Sequence, residues 1–479
     1  MKVNKLERLS YFFFILTVSI IFLSLIPSFY IFVETSYGQI TTMESESETA
    51  AITSYTDAII KAPLLIAQAL IVGITFVHSS VFIPIIKKDS IFFNNNNENF
   101  IWSSLTNNKQ FIIIIIAGGA IILNMSTILI VYQASLLSSD LGLDLSSTLS
   151  ILLSSSVGNI FIIKIVTSTI IIILSILYYY IAKTKGRWKY KEKQNIKHQK
   201  IKTIKVSLTF CILILILDSI NIFSNSIQSH SAAVSFFPYI AVSVDLLHFM
   251  MVSIWVGGLF YISLISRKLL IKVPNPQHSS ISFPNSTNMH LFLSIILRFS
   301  IIAIISIGTI FITGLYMGLL HLQQPSSLLN SSYGNTLIVK LLLVFPMALL
   351  GVYHQFRLHK LINQKIWIQV NQQLQKLKIF HKSLKIEFIL GIGVIFTSSF
   401  LTIMSPPQHD EIHNMDMEAW LPTEQSDLTK KIINSQNYLF DQSFSFIVLV
   451  LSISIAISVI FFTRRSWLIL KVYNQNYHI

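Results

Sequence analysis

Ten stretches of this chain run for about 20 residues or more with little but Ile, Leu, Val, Phe, Ala and small polar side chains. That is the length a helix needs to cross about 30 Å of hydrocarbon at about 1.5 Å per residue. They lie near residues 11–33, 59–86, 110–134, 158–182, 204–224, 238–265, 296–320, 335–356, 386–404 and 443–463. Only helices and closed barrels satisfy every backbone group in lipid, and barrel strands are short and alternate in polarity. These runs are long and continuously apolar, so the expected fold is all-α, a polytopic transmembrane bundle of about ten spans. Composition agrees. Charged residues make up 12% of the chain, roughly half of what a water-soluble surface carries, and the 53% hydrophobic content excludes a disordered chain.

The formal charge of +14 does not mark a nucleic-acid partner, because Lys and Arg sit in short tracts between the apolar runs rather than along one face. Such tracts mark the cytoplasmic side. Basic tracts at Lys2–Arg8, Lys87–Lys109, Lys183–Lys205, Arg267–Lys272, Arg357–Lys382 and Arg464–Lys471 alternate with acidic or uncharged segments, including Glu34–Asp57, Asp140–Asp144 and Asp410–Asp427. All ten spans fit one orientation in a plasma membrane, with the lipid bilayer as partner and both termini cytoplasmic. The first span, within residues 1–40, also reads as a cleavable signal peptide, since Ser36 and Gly38 follow its apolar stretch. The single cysteine, Cys211, lies inside an apolar run and offers neither a disulfide nor a Cys-based metal site.

Two outer-to-inner spans open alike. Residues 155–164 and 331–340 both read S-S-x-G-N-x-x-I-x-K, with Gly158, Asn159 and Lys164 in step with Gly334, Asn335 and Lys340. Each is preceded by a span with small residues, Gly118 and Gly119 in one and Gly308 and Gly314 in the other, and before those come Gly73 and the pair Gly257, Gly258. The copies share one orientation, so a parallel repeat is expected, with halves at 58–225 and 236–407. An external acidic loop (408–442) and a last helix with a basic tail (443–479) follow. The glycines read as helix contacts. Lys164 and Lys340, two turns into their spans, either snorkel to the interface or line a polar path.

Ionisable groups inside a span are costly, which singles out Asp245 and His248 in the sixth. At i and i+3 they share a helix face, and Met251 continues it one turn on. Carboxylate, imidazole and thioether together suit copper. The plainer reading is an interhelical hydrogen bond from His248 to a Ser or Thr, with Met251 as packing. His230, in the external turn before this span, has the depth to join Asp245 or to be a solvated loop residue. His78 reads as a packing histidine, and His321 with Met317 as weaker outer-end candidates. The last external loop places His409 and His413 at i and i+4, followed by Met415 and Met417, either a copper-collecting segment or an acidic loop with incidental donors. No protease, phosphate-loop, nucleophile-elbow or dinucleotide motif occurs, so catalysis has no sequence support.

These residues resemble a known family. Asp245-Leu246-Leu247-His248, Ile254 through Leu259, Arg298-Phe299-Ser300, Thr313-Gly314, Tyr333-Gly334 through Lys340, and Lys385-Ile386-Glu387-Phe388 ahead of Met404-Ser405-Pro406-Pro407 are similar to the copper resistance protein D (CopD) family. The likeness runs from about residue 58 to 407. It implies an eight-helix core, to which this chain adds a first and a tenth span, and a role in copper uptake or tolerance with the copper ion as cargo. Family members often carry Gly-His-Ala ahead of an H-x-x-H pair. The matching positions here are Ser229-His230-Ser231 and Asp245-x-x-His248, so a carboxylate replaces one imidazole. Residues 34–57 are too few for the copper-binding β-sandwich some relatives carry, so collection would pass to a separate external protein or to the loop at 409–417. Two other readings stay open: a membrane electron carrier with haem held among His78, His248 and His354, and a structural or sensory subunit that binds no metal.

Overall fold

The computed structural model describes residues 48–85, 109–188, 196–233, 237–271, 284–322, 327–363 and 370–404. The expected spans at 11–33 and 443–463 and the His409–Met417 loop lie outside the described residues. Within them every regular element is helical: α1 (Glu48–Val77), α2 (Lys109–Leu141), α3 (Leu145–Ser154), α4 (Ser156–Trp188), α5 (Ile196–Ile227), α6 (Pro238–Ile271), α7 (Pro284–His321), α8 (Ser327–Asn330), α9 (Ser332–Asn363) and α10 (Val370–Leu401). All except α3 and α8 are long and apolar enough to cross a membrane. These eight are the interior spans expected from the apolar runs, and the chain is a polytopic all-α membrane protein.

The helices extend beyond the apolar runs because polar residues at their ends still favour the helical backbone once the core is anchored. Helix α3 was not expected. Asp144 caps it, accepting from the Ser146 N–H at 3.2 Å and from the Ser146 hydroxyl, and those bonds hold this exposed carboxyl below the usual carboxylate range. Helix α1 runs into one π-turn, His78–Phe82. That turn sets the His78 ring stacked on Phe111, with centroids 4.3 Å apart, and hydrogen-bonded to the Tyr261 hydroxyl.

Three of the four helix contacts on the α1–α5 side recur on the α6–α10 side. In the first, α1 packs on α2, α2 on α4, α4 on α5 and α5 back on α1. In the second, α6 packs on α7, α9 on α10 and α10 back on α6, whereas α7 touches α9 only sparsely. The halves meet where α1 crosses α6, flanked by α5 against α6 and α10 against α1. Glycine makes the crossing possible. A Cβ at Gly73 would fall 2.2 Å from the Ser253 carbonyl oxygen, and one at Gly257 would fall 2.8 Å from the Gly73 Cα. Beside it, Gly258 leaves room for the Phe299 ring. Small residues at a lipid-embedded crossing let backbones approach and gain dispersion contact.

The repeated motif has one local meaning. Ser155 and Ser331 precede α4 and α9, and their hydroxyls accept from the N–H groups of Gly158 at 3.2 Å and Gly334 at 2.9 Å. Both serines are N-caps satisfying an otherwise orphan donor. Gly158 also packs tightly against the end of α3, where a Cβ would lie 2.1 Å from the Leu152 carbonyl oxygen.

Candidate functional site

Asp245 lies seven residues into α6 and His248 ten, which puts them about 10 and 15 Å from the helix start. Lys340, eight residues into α9, and Thr313, eight residues before the end of α7, fall about 12 Å from those helix ends. Three helices therefore bring their polar groups to one level, near the ends where α6 and α9 begin and α7 finishes. Asp245 is half-buried, and its carboxylate accepts from Ser229 at 3.1 Å and from Ser226 at the end of α5. Lys340 and Tyr333 of α9 are within electrostatic reach of that carboxylate. His248 is buried and pairs through Nδ1 with the Thr313 hydroxyl at 2.9 Å, while Gly314 faces the ring, its notional Cβ 3.4 Å from Cε1. Lys340 also reaches His248 electrostatically.

The other expected residues fall into place around this level. His230 begins a short 3₁₀ turn directly after Ser229. Met251 packs against the apolar core around Val252 and Trp255 and also beside Leu246 and Ile254. His321 lies edge-on to Tyr333, centroids 6.1 Å apart, and Thr336 contacts the Met404 sulfur at 3.1 Å just past the C-terminal end of α10. Among the described residues no three His, Cys, Asp or Glu side chains converge as a metal group. The nearest arrangement is the carboxylate and imidazole of one α6 turn, flanked by a hydroxyl, a phenol and an ammonium. Such a set can hold a soft or borderline cation loosely but does not enclose one.

The three histidines weighed for haem are engaged separately. His78 bonds Tyr261, His248 bonds Thr313, and His354 pairs through Nδ1 with Glu387 at 2.8 Å and through Nε2 with Ser383 at 2.7 Å. This last pair ties α9 to the middle of α10. The sequence offered only the separate residues, since partners on two helices carry no common spacing. Arg298 is half-buried on α7. In the first half, Lys164 is only 3% exposed and donates to Gln228 at 2.7 Å. Asp218, equally buried within an apolar run, is a further residue that the cost of a charge inside a span singles out.

Residues 293–401 match the model of the family described as copper resistance protein D. The matched segment holds Arg298, Thr313, Gly314, Tyr333, Gly334, Lys340, His354 and Glu387, while Asp245 and His248 precede it. The chain is also 29% identical over 170 residues to the copper transport protein CutJ of Bacillus subtilis (strain 168), a match covering 35% of this chain. It spans 26% of that relative's length. No solved structure matches the chain. The eight apolar helices are those of a polytopic membrane protein, and the segment that builds the α7, α9 and α10 side of its polar level is similar to the copper resistance protein D family.

Proposed function

We propose that this protein moves copper ions across the plasma membrane, as a permease of uptake or tolerance rather than an enzyme, with both termini cytoplasmic. The carrying observation is the outer polar level, where Asp245 and His248 share one turn of α6 and face Thr313 and Lys340 across the loosely packed side of the second half. Asp245 attracts a cation, and the imidazole of His248 supplies a borderline donor once it leaves Thr313. Lys340 opposes tight retention, which suits transport, because a site must release what it captures. His230, one residue past the Ser229 that bonds Asp245, and Met251, one turn further in, are the neighbours that would complete a coordination sphere. His409, His413, Met415 and Met417, or a separate external copper-binding protein, would deliver the ion. We further read the halves 58–225 and 236–407 as a parallel repeat between which the ion passes, supported by the two matched Ser caps and the recurring helix contacts.

The test is copper accumulation in cells producing the full chain or its Asp245→Ala, His248→Ala double variant, together with metal content of the purified proteins after equilibration with Cu(I), Cu(II) and Zn(II). The double variant should lose both accumulation and bound copper. Unchanged accumulation with the variant folded and in the membrane would overturn this assignment of the site. A haem absorbance band in the purified protein would overturn the copper reading itself.

A further inference from the structure

The first half holds a buried polar row that plays no part in the outer level just described. On α5, Asp218, Asn221 and Asn225 fall at i, i+3 and i+7, one face of the helix, with Gln228 continuing it to the outer end. Lys164 donates to Gln228 at 2.7 Å, and Asn225 donates to Gln68 of α1 at 2.6 Å. Deeper still, Thr167 donates to Asn221, whose amide donates to Asp218 Oδ1 at 3.4 Å. The row descends about 15 Å along α5 from Gln228 to Asp218. At its mouth, Lys61 pairs with Asp57 at 2.7 Å, and both lie within electrostatic reach of Lys164.

Two atoms in the row lack a partner. Asp218 Oδ2 and Gln68 Nε2 belong to side chains that are 0% exposed, and neither atom is hydrogen-bonded. A carboxylate with one long hydrogen bond, inside lipid-embedded protein, is far too costly to stand as a bare charge. It must carry a proton or hold a cation. The lysines decide between these. A metal ion would have to pass Lys61 and Lys164, with only Asp57 to offset them, and would find a single carboxylate where hard cations demand six or more oxygens. A proton needs neither, and it neutralises the buried carboxylate where it stands.

We propose that Asp218 is an exchangeable proton-binding site, reached from the outer face along Gln228, Asn225, Gln68, Thr167 and Asn221. The first half of the bundle then handles protons, whatever cargo the second half takes. The ionisable groups on elements packed against α5 include Asp57 and Lys61 of α1, His78 of the π-turn, Lys164 and Tyr178 of α4, His230 of the 3₁₀ turn, and Asp245 of α6, which bonds Ser226 at the end of α5.

The experiment is infrared difference spectroscopy on the full chain in phosphatidylcholine vesicles, transferred from H2O to D2O without copper. A protonated-carboxyl carbonyl band should be present, absent from Asp218→Asn, and shifted by deuterium in the unsubstituted protein. Asn221→Leu, which keeps the carboxyl and breaks the row, should move that band and slow its exchange by about tenfold. A band region identical in Asp218→Asn would overturn the proposal. So would a band that never shifts in D2O, or an Asn221→Leu variant with unchanged frequency and exchange. If Asp218→Asn does not fold, the Asn221→Leu comparison decides alone.

Discussion

The two halves carry the same capped helix and the same lysine two turns below the cap, yet the lysines meet opposite company. Lys164 is sealed in the first half, bonded to Gln228 with Lys61 nearby. Lys340 is half-buried in the second and faces the carboxylate of Asp245. Aligning α1 with α6 at their crossing glycines, Gly73 with Gly257, sets Lys61 opposite Asp245 and Leu64 opposite His248. A cation and an apolar side chain thus stand in one half where an anion and an imidazole stand in the other. The two polar interiors therefore differ in charge at matching positions, cationic beside α1 and anionic beside α6.

The sharpest way to break this comparison is at the shared crossing. Gly73→Leu forces a side chain into the Ser253 carbonyl and should cost more than about 4 kcal/mol, so that little folded protein reaches the membrane. By contrast Gly314→Ala, whose Cβ meets His248 at ordinary contact distance, should leave yield unchanged; quantitative blotting of membranes compares the two. Next in size, Asp245→Ala with His248→Ala should bring copper accumulation to background, while Lys61→Ala at the matching first-half position should leave it near normal. Lys340→Met should increase bound copper by roughly fivefold and slow release, because a like charge has gone. Lys164→Met should instead leave metal content alone and lower thermal stability by roughly 1–3 kcal/mol, through an unpaired Gln228.

Smaller effects refine the picture. Thr313→Val frees the His248 ring and should cost about 0.5–1.5 kcal/mol of stability while aiding copper binding, readable by thermal unfolding with and without metal. Smallest is the acid response of α3. Asp144 has a folded carboxyl held below its unfolded value, so its cap contributes fully above the unfolded pKa and is lost as pH falls through the folded one. Amide exchange over residues 145–154 should therefore quicken only in acid, with no counterpart at the α7 to α9 connection.

Span positions were legible because a run of about 20 apolar residues has few alternatives in lipid, and the eight interior runs each became a helix. The S-S-x-G-N repeat was legible as a pattern, but its role as a Ser cap emerged only from the bonds to Gly158 and Gly334. Helix α3 was hidden because ten residues are too few to register as a span, although Asp144 ahead of Leu145 is an ordinary cap signal. In the outer level, Asp245 and His248 announced themselves by charge inside a span. Their partners Thr313, Ser226 and Ser229 did not, since hydroxyls are common in these helices and nothing in spacing says which face meets which. The same holds for Glu387 and His354, joined across two helices.

At the α1 and α6 crossing, no side chain separates the two backbones. Sliding either helix along its axis would drive an α-carbon into a neighbouring carbonyl, so translation is blocked at that point while rotation about it is not. Any turning of α1 against α6 therefore pivots on this contact as on a fulcrum. A given turn then displaces the far ends of the two helices most and the glycines least.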